Sequence, residues 1–334
     1  MPLSITNTDL QYEDQDLGFG SLSRVVLARH NHNGTYYAIK IMSKNQVISN
    51  KAVDLVMQEK EILGRLEHPN VVSIISTFQT DIELYYVLEY CNGGELLYHI
   101  EVQKGLDPLT TKWVTAELVN AVTYLHLQGV AHRDLKPQNV VFIHTEHGPH
   151  LKLIDFATAA VSTEQPRPLG KIVRTADDEL EDLDDAADER MRSRWHAREA
   201  QGKRFIGTCQ YCSPEMIIDC TATYSSDLWA LGTVVYHMVA GTGAFDDEDS
   251  FAVLKRILSW KFTYPEGFDA GARTLCDALI VLCPTARLGV GPTGCAGDQL
   301  KAHPYFTGVD WDALPTQQLD VHLSEWEPAA TQKL

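Results

Sequence analysis

Short apolar runs separated by polar turns fill the first part of the chain, up to about residue 90, and this pattern is typical of β-strands. Runs rich in β-branched and aromatic residues predict strands over residues 24–28, 36–42, 71–78 and 84–88. One longer segment, residues 52–66, repeats its apolar positions at about 3.6 residues and therefore predicts a helix among the strands.

The sequence Cys-Asn-Gly-Gly at residues 91–94 interrupts this pattern, because asparagine and glycine favour turns over regular elements. Beyond it the apolar positions follow helical spacing, most clearly over residues 111–127. Further helices are predicted at residues 226–240, 249–259 and 270–282. We therefore expect a hinge at 91–94 between a strand-rich part and a helical part.

Acidic residues outnumber basic residues, 45 against 28, and the net charge is −17. This balance argues against nonspecific binding to nucleic acid or to anionic membranes. Nine of the thirteen residues from 177 to 189 are acidic, and several basic residues follow them. Residues 162–204 are therefore predicted to form an inserted, solvated loop.

Seven scattered cysteines lack the spacing of a disulfide framework, which suits a reducing compartment. Cys209 and Cys212 have no second pair at zinc spacing, and we favour two incidental loop cysteines over a metal or redox site. The chain begins with polar and acidic residues rather than a signal peptide. Its most apolar stretch, residues 228–241, is too short to span a bilayer and predicts a buried core helix. We expect a cytoplasmic protein.

A glycine-rich turn, Gly18-Phe19-Gly20, precedes Ser23 and Val25. Glycines let a backbone approach phosphate oxygens closely, although a Gly-x-Gly in a β-turn is common and weak by itself. Support comes from Lys40, which is placed at the end of a predicted strand. A lysine on a buried strand needs a partner. Glu59, on the inner side of the predicted helix, can pair with it and hold its ammonium against nucleotide phosphates.

The most specific motif is His132-Arg133-Asp134-Leu135-Lys136-Pro137-Gln138-Asn139. In it, Asp134 can accept a hydroxyl proton, Lys136 can neutralise a phosphoryl group in transfer, and Asn139 can bind a metal ion. Asp155 follows Asp134 by 21 residues and offers a second metal-binding acid at a strand end. Phosphoryl transfer depends mainly on positioning and positive charge, and these residues match that need.

Together these motifs resemble those of the eukaryotic protein kinases, and they extend from Gly18 to Arg287. The form Asp-Leu-Lys-Pro-x-Asn is similar to that of serine/threonine kinases. Residues 207–215, 225–232 and 285–289 resemble the AGC group, in which Glu215 would pair with Arg287. The sequences of residues 207–215, 225–232 and 300–304 are most similar to those of the phosphoinositide-dependent protein kinase subfamily. Members of this subfamily phosphorylate activation loops of other AGC kinases.

The resemblance implies an α+β, two-lobed fold with a small β-rich N-terminal lobe and a larger α-helical C-terminal lobe. We assign residues 1–88 to the N-terminal lobe, 89–94 to the hinge, 95–307 to the C-terminal lobe and 308–334 to a tail. The acidic insertion at 162–204 then lies in the activation loop.

The resemblance also implies ATP and Mg²⁺ as cofactors and assigns residues to them. The catalytic residues would be Lys40, Glu59, Asp134 and Lys136, with Asn139 and Asp155 as metal ligands. The ATP-binding residues would be Leu17, Gly18, Gly20, Val25, Ala38, Lys40, Leu88, Glu89, Cys91, Glu95, Val141 and Asp155.

A second site is implied on the small lobe, where the subfamily docks the phosphorylated hydrophobic motif of its substrates. The matching residues are Lys44, Val47, Ile48, Val56, Lys60, Thr77, Gln79 and Leu84. Apolar walls suit an aromatic peptide, while two amines, a hydroxyl and an amide suit a phosphate. The residues alone favour the alternative in which the apolar ones pack the helix and both lysines are solvated, and the resemblance reverses that order.

Three positions depart from the family pattern. Ser23 replaces the third glycine of the phosphate loop, a change the subfamily tolerates. Ala157 follows Asp155-Phe156 where a glycine is usual, and its β-carbon restricts the backbone, so flipping of Phe156 is expected to be harder. Arg204 stands where the subfamily phosphorylates a serine that Arg133 would meet. Acids from 177–189 could replace that phosphate, but we favour a disordered insert with Arg133 bound by another group.

The sequence thus predicts a serine/threonine kinase that transfers the γ-phosphate of ATP to hydroxyls in activation loops of other AGC kinases. Those kinases would be its partners; we expect a monomer with no nucleic-acid partner. The residues after Phe306 are too few for a lipid-binding domain, which is either absent or truncated, so we expect no direct membrane binding by this chain. The alternatives are a catalytically weak docking scaffold and an AGC kinase of another branch. The latter is disfavoured because residues 322–327 lack an aromatic pair around a phosphosite.

Overall fold

The computed structural model describes residues 5–161, 209–291, 294–295, 297–318 and 321–326. The predictions that concern the acidic run 177–189, Arg204, and the Gly-Thr pair at 207–208 lie outside these described residues. The described part has a β-sheet lobe followed by a helical lobe, so the predicted two-lobed α+β fold is confirmed.

A five-stranded antiparallel sheet forms the small lobe, with strand order β1-β2-β3-β5-β4. Its strands are β1 (Leu10–Phe19), β2 (Ser23–His30), β3 (Tyr36–Ser43), β4 (Ile74–Gln79) and β5 (Glu83–Glu89). Two helices, α1 (Lys44–Ser49) and α2 (Val53–Arg65), connect β3 to β4. The α2 helix buries Val56, Glu59, Ile62 and Leu63, so its one buried acid faces the sheet side of the lobe.

The large lobe is mainly helical. Its helices in the described residues are α3 (Leu96–Gln103), α4 (Pro108–Leu127), α5 (Pro214–Asp219), α6 (Tyr224–Ala240), α7 (Ser250–Leu258), α8 (Ala270–Leu279) and α9 (Gly297–Lys301). Its short strands are β6 (Val130–Ala131), β7 (Val140–Thr145), β8 (Gly148–Leu153), β9 (Ala160–Val161), β10 (Val290–Gly291) and β11 (Gly294–Cys295). They pair as three antiparallel hairpins or ribbons, β6 with β9, β7 with β8, and β10 with β11.

The α4 helix shows how local sequence sets an element boundary. The Asp107 side chain accepts hydrogen bonds from the backbone N–H groups of Leu109 and Thr110, at 2.9 and 3.0 Å. Pro108 occupies the first helical position, where its missing N–H costs nothing. The helix therefore begins three residues before the predicted residue 111.

Apolar side chains of the large lobe form one core around α4 and α6. Every residue of α6 from Tyr224 to Met238 is buried, which confirms the predicted core helix in this region. Helices in the described part of the chain are either too short or too polar to cross a membrane.

Several element predictions need correction. The β1 strand was not predicted because its sequence is mostly polar, as suits an edge strand with a largely exposed face. The helices α1 and α3 were also not predicted, since six and eight residues are too few to show a helical period.

Two further predicted boundaries are also wrong by three residues. The strand predicted from residue 71 begins at Ile74, because Val71 instead bridges Leu153 of β8. The helix predicted to residue 282 ends at Leu279, because the next residue, Ile280, has a ψ of 66° and leaves helical geometry.

Candidate active site

Lys40 lies in the middle of β3, between Val25 of β2 and Tyr86 of β5, rather than at a strand end as the sequence suggested. Its Nζ is 2.5 Å from Oε1 of Glu59 on α2 and 3.5 Å from Oδ1 of Asp155. Burial alone would lower the pKa of Lys40, but the two carboxylates outweigh it and hold the pKa above its ordinary value. The ammonium therefore stays charged inside the protein, paired with Glu59 as the sequence predicted.

The loop that follows β6 is held by a single buried carboxylate on α6. Asp227 accepts hydrogen bonds from the backbone N–H groups of His132 and Arg133, at 2.9 and 2.8 Å, and from Nε2 of His126 at 2.9 Å. These bonds, with the nearby imidazoles, outweigh burial and lower the pKa of Asp227. Arg133 adopts a left-handed backbone conformation, φ 69°, so the bonds fix a turn that L-residues rarely adopt unaided.

Three residues of that loop hydrogen-bond to one another. Lys136 Nζ lies 2.9 Å from Oδ2 of Asp134. The Nδ2 of Asn139 donates to the backbone carbonyl of Asp134 at 2.8 Å and to its Oδ2 at 3.1 Å. Because the Asn139 amide nitrogen is engaged in this way, its Oδ1 is the atom left to face a cation.

Asp155 follows β8 and also has a left-handed backbone, φ 60°. Burial alone would raise its pKa, but the charge of Lys40, the imidazole of His132 and the N–H of Ala157 together lower it. The next residue, Phe156, is fully buried, with its ring edge-to-face against His132 at 5.0 Å. Asp155 is thus a carboxylate held in its charged form on a strained turn.

A cavity of about 400 Å³ lies between the two lobes. All the residues that the sequence assigned to ATP line it, and so do Glu59, Lys136 and Asn139. Asp134 lies at a small neighbouring cavity of about 10 Å³ instead. The structure therefore brings the predicted nucleotide residues together around one space, with the loop of Asp134 beside it.

The glycine-rich turn forms one edge of this cavity. The N–H of Gly20 donates to the Ser23 carbonyl at 2.7 Å, and a β-carbon on Gly20 would lie 2.9 Å from the Ser23 hydroxyl oxygen. A larger residue at position 20 would therefore push Ser23 aside. The serine in place of a third glycine is compatible with the turn.

Sequence reasoning did not find every lining residue. The cavity is also lined by Phe19, Ser23, Leu63, Val72, Tyr90, Gly94, Gln138, Ile154, Phe156 and Trp326. Most are neighbours in sequence of predicted residues and could have been found from that proximity. Trp326 is different, because it lies in the segment predicted only as a tail.

The tail reaches the cavity along the surface of α3 and α4. The Tyr98 hydroxyl donates to the Glu325 carbonyl at 2.8 Å, and Gln103 Nε2 donates to the His322 carbonyl at 3.0 Å. The N–H of His322 donates to the Thr110 hydroxyl at 2.9 Å. These contacts set the path of residues 321–326, and no local sequence signal indicates it.

A second buried ion pair connects α5 to the loop before β10. Arg287 donates to both carboxylate oxygens of Glu215, at 2.6 and 2.8 Å, and to the Ser225 carbonyl at 2.8 Å. Arg287 and the Ser226 hydroxyl outweigh burial and lower the pKa of Glu215. The pairing expected between Glu215 and Arg287 is confirmed.

The residues predicted to dock a peptide lie around α1, α2 and the β4–β5 hairpin. Val47, Val56 and Leu84 belong to one small apolar cluster with Met42, Ala52 and Tyr86. Ile48 is 65% exposed beside them. Lys60 and Gln79 are exposed, while Lys44 and Thr77 are half-buried. The burial of Val47 and Val56 agrees with a packing role, and the exposed members leave a mixed apolar and polar surface.

Asn139 and Asp155 could hold a magnesium ion, because carboxylate and amide oxygens are the ligands that Mg²⁺ prefers. Among the described residues, no group of three or more His, Cys, Asp or Glu could hold a metal without further ligands. Mg²⁺ typically takes one or two protein oxygens and completes its shell with phosphate and water. The donor set of this site therefore fits magnesium bound together with a nucleotide.

Comparison with known proteins agrees with this geometry. A profile of the protein kinase domain family matches residues 12–306. The chain is 36% identical over 316 residues to human 3-phosphoinositide-dependent protein kinase 1, an alignment that covers 95% of this chain and 50% of the human protein. It is 35% identical over 300 residues to the protein of the same name from Arabidopsis thaliana, covering 90% of this chain and 55% of that protein.

A more distant relative is the cAMP-dependent protein kinase catalytic subunit of Dictyostelium discoideum, 30% identical over 298 residues, which cover 89% of this chain and 40% of that protein. The chain spans about half the length of the two 3-phosphoinositide-dependent kinases it matches. The profile match extends over most of the chain and includes every predicted catalytic residue. The chain therefore belongs to the protein kinase family, in the AGC group of serine/threonine kinases.

Proposed function

We propose that this protein transfers the γ-phosphate of ATP to serine and threonine hydroxyls of protein substrates. The observation that carries the proposal is the grouping of the Lys40–Glu59 pair, Asn139 and Asp155 around one cavity, with Asp134 beside it. These residues supply a fixed positive charge, a carboxylate for the attacking hydroxyl and oxygens for a cation.

Each residue then has a separate task. The Lys40 ammonium, held by Glu59, binds phosphate oxygens of the nucleotide. Asp134 orients the substrate hydroxyl and accepts its proton, while Lys136, 2.9 Å away, offsets the negative charge of the phosphoryl group in transfer. The hinge backbone at Glu89 and Cys91 hydrogen-bonds the adenine, and Glu95 meets the ribose.

Asn139 and Asp155 would hold magnesium, which when bound neutralises phosphate charge and orients the phosphates. The lowered pKa of Asp155 keeps this carboxylate ionised at neutral pH, as a metal ligand must be. The half-exposed side chain faces the cavity rather than the core.

Phosphorylation of peptides that carry a serine, threonine or tyrosine acceptor tests this activity directly. We expect labelled phosphate from ATP on serine and threonine only, with Asp155→Ala as the inactive control. Transfer no greater than that of the control would instead support a docking scaffold, the reading that Ala157 favours. Equal transfer to tyrosine would contradict the assigned substrate class.

We further propose that the substrates are activation loops of other AGC kinases, docked on the surface around Val47, Ile48 and Leu84. The support is the resemblance of the chain to the 3-phosphoinositide-dependent kinases, together with the small apolar cluster and its exposed edge. A monomer and a cytoplasmic location remain predictions of the sequence.

The docking proposal is tested with activation-loop peptides that do or do not carry a covalently attached hydrophobic motif. We expect the motif to raise kcat/KM by about tenfold or more and Ile48→Asp or Gln79→Ala to remove that gain. Val102→Asp, a change at a large-lobe residue that is 54% exposed against 65% for Ile48, serves as the matched control. If kcat/KM were the same with and without the motif, the docking proposal would be wrong, while the proposed kinase activity would stand.

A further inference from the structure

A largely buried ion pair joins the first residue of the hinge to β8, and its lysine is outside the catalytic set. Nζ of Lys152 on β8 is 2.9 Å from Oε2 of Glu89, the last residue of β5. The two side chains are 11% and 23% exposed. Glu89 lines the nucleotide cavity, whereas Lys152 is absent from its lining. Any effect of Lys152 on the nucleotide must therefore pass through another residue.

Glu89 is also held by two hydrogen bonds to the backbone of Ser73. Its Oε2 accepts a hydrogen bond from the N–H of Ser73 at 3.3 Å, and its own N–H donates to the Ser73 carbonyl at 3.0 Å. Burial and the Glu89 carboxylate raise the pKa of the Cys91 thiol to about 12, and Lys152 opposes them. The charges of Glu89 and Lys152 thus both act on Cys91 in the hinge.

The other end of the pair lies on β8, the strand that leads to Asp155, the acid proposed to hold the metal. Lys152 stands opposite Val141, which lines the cavity, and lies three residues before Asp155. The strand is fixed nearby, because Leu153 N–H donates to the Asn70 carbonyl and Ile154 N–H donates to the Asn139 carbonyl, both at 2.9 Å. The pair therefore connects the hinge backbone to a rigid part of the site.

We propose that Lys152 is a positioning residue for nucleotide binding, which sets the hinge against β8 through Glu89. This inference rests on the proposed kinase function, because it assigns the adenine of ATP to the hinge. Loss of the Lys152 charge leaves the Glu89 carboxylate without its buried partner, so the carboxylate turns toward water and the hinge backbone moves with it. The nucleotide then binds more weakly, while the groups that transfer the phosphate stay in place.

The test measures binding of a fluorescent ATP analogue together with steady-state kinetics. For Lys152→Met we expect the analogue Kd and the KM for ATP to rise about tenfold, with kcat and the peptide KM changed less than about twofold. Lys152→Arg keeps the charge and should hold the analogue Kd and the KM for ATP within about threefold of wild type. Lys261→Met, at an exposed lysine of the large lobe, is the matched control and leaves both values unchanged.

A purely structural role predicts a different result, namely a lower active fraction and kcat with both KM values unchanged. Glu89→Gln/Lys152→Met guards against misfolding of the single variant, because it leaves neither charge buried alone. Since it has no unpaired carboxylate to turn toward water, it should fold and bring the KM for ATP back to within about threefold of wild type. A wild-type Kd and KM in Lys152→Met, or a KM for ATP in the double variant as high as in the single variant, would overturn the proposal. A wild-type protein that neither binds the analogue nor transfers phosphate would overturn the kinase function instead.

Discussion

The ring of Trp326 lies directly against Gly94, at a distance that only a glycine permits. A β-carbon on Gly94 would stand 2.5 Å from two carbon atoms of the indole, and the residue has a φ of +78°. Real β-carbons do not approach other atoms so closely, so the glycine of the hinge and the tryptophan of the tail fit only as a pair. Through this contact the indole ring of Trp326 lines one side of the nucleotide cavity.

Removal of the Trp326 side chain should weaken nucleotide binding. We expect Trp326→Ala to raise the Kd of a fluorescent ATP analogue by about three- to tenfold, since apolar contact area is lost. Trp326→Phe, which keeps an aromatic ring, should cost less than about threefold. An unchanged Kd in Trp326→Ala would show that the tail does not contribute to the site in solution.

The buried pair of Glu215 and Arg287 should be important for stability. Arg287→Met leaves the Glu215 carboxylate buried without its partner and is expected to cost about 3–5 kcal/mol of unfolding free energy. Urea denaturation measures this change. Glu215→Gln/Arg287→Met should recover part of the loss, because no charge is then left unpaired; a single variant as stable as wild type would contradict this account.

His68 gives the fold a specific dependence on pH. Its Nδ1 accepts a hydrogen bond from the N–H of Asn70 at 3.1 Å, and its ring stacks on Tyr124 at 4.6 Å. Burial, with the charges of Lys301 and Lys152, lowers the pKa of His68 from 6.5 to about 4. Between pH 6.5 and about 4, the folded protein therefore keeps this imidazole neutral, whereas the unfolded chain protonates it.

The sign of the effect follows from that difference. The unfolded state binds the extra proton below pH 6.5, so stability is lost as the pH falls from 6.5 toward about 4. His68→Asn should lessen the loss between about pH 7 and about pH 5 by roughly 1–2 kcal/mol, the value expected for a partly solvated group. His147→Asn, at a histidine whose side chain is 43% exposed, is the control. Equal pH dependence in wild type and His68→Asn would contradict the assignment.

The sequence indicated the candidate catalytic residues because their pattern depends on chemistry at short range. Asp134, Lys136 and Asn139 lie within six residues, and the need of Lys40 for a buried partner indicated Glu59 from helical spacing. Strands β2 to β5 carried runs of β-branched and aromatic residues, and the long helices carried a period of about 3.6 residues. Local patterns were enough for these elements.

Other features depend on contacts that are distant in sequence. Asp227 holds the backbone of His132 and Arg133 from about 95 residues away, and Trp326 meets Gly94 across the whole large lobe. Neither residue has a local pattern that indicates its partner. The Lys152–Glu89 pair has the same origin, since each residue by itself is an ordinary charge in a strand.

Phosphate transfer by Asp134→Asn, measured beside wild type with matched nucleotide binding, tests the central claim most directly. Asparagine keeps the shape of the side chain but cannot take the hydroxyl proton, so removal of a general base should lower kcat about 10²- to 10⁴-fold. We predict that wild type phosphorylates a serine or threonine peptide and that Asp134→Asn binds the ATP analogue normally yet transfers phosphate at least a hundredfold more slowly. Equal rates for the two proteins, or no transfer by a wild type that binds ATP, would contradict the account.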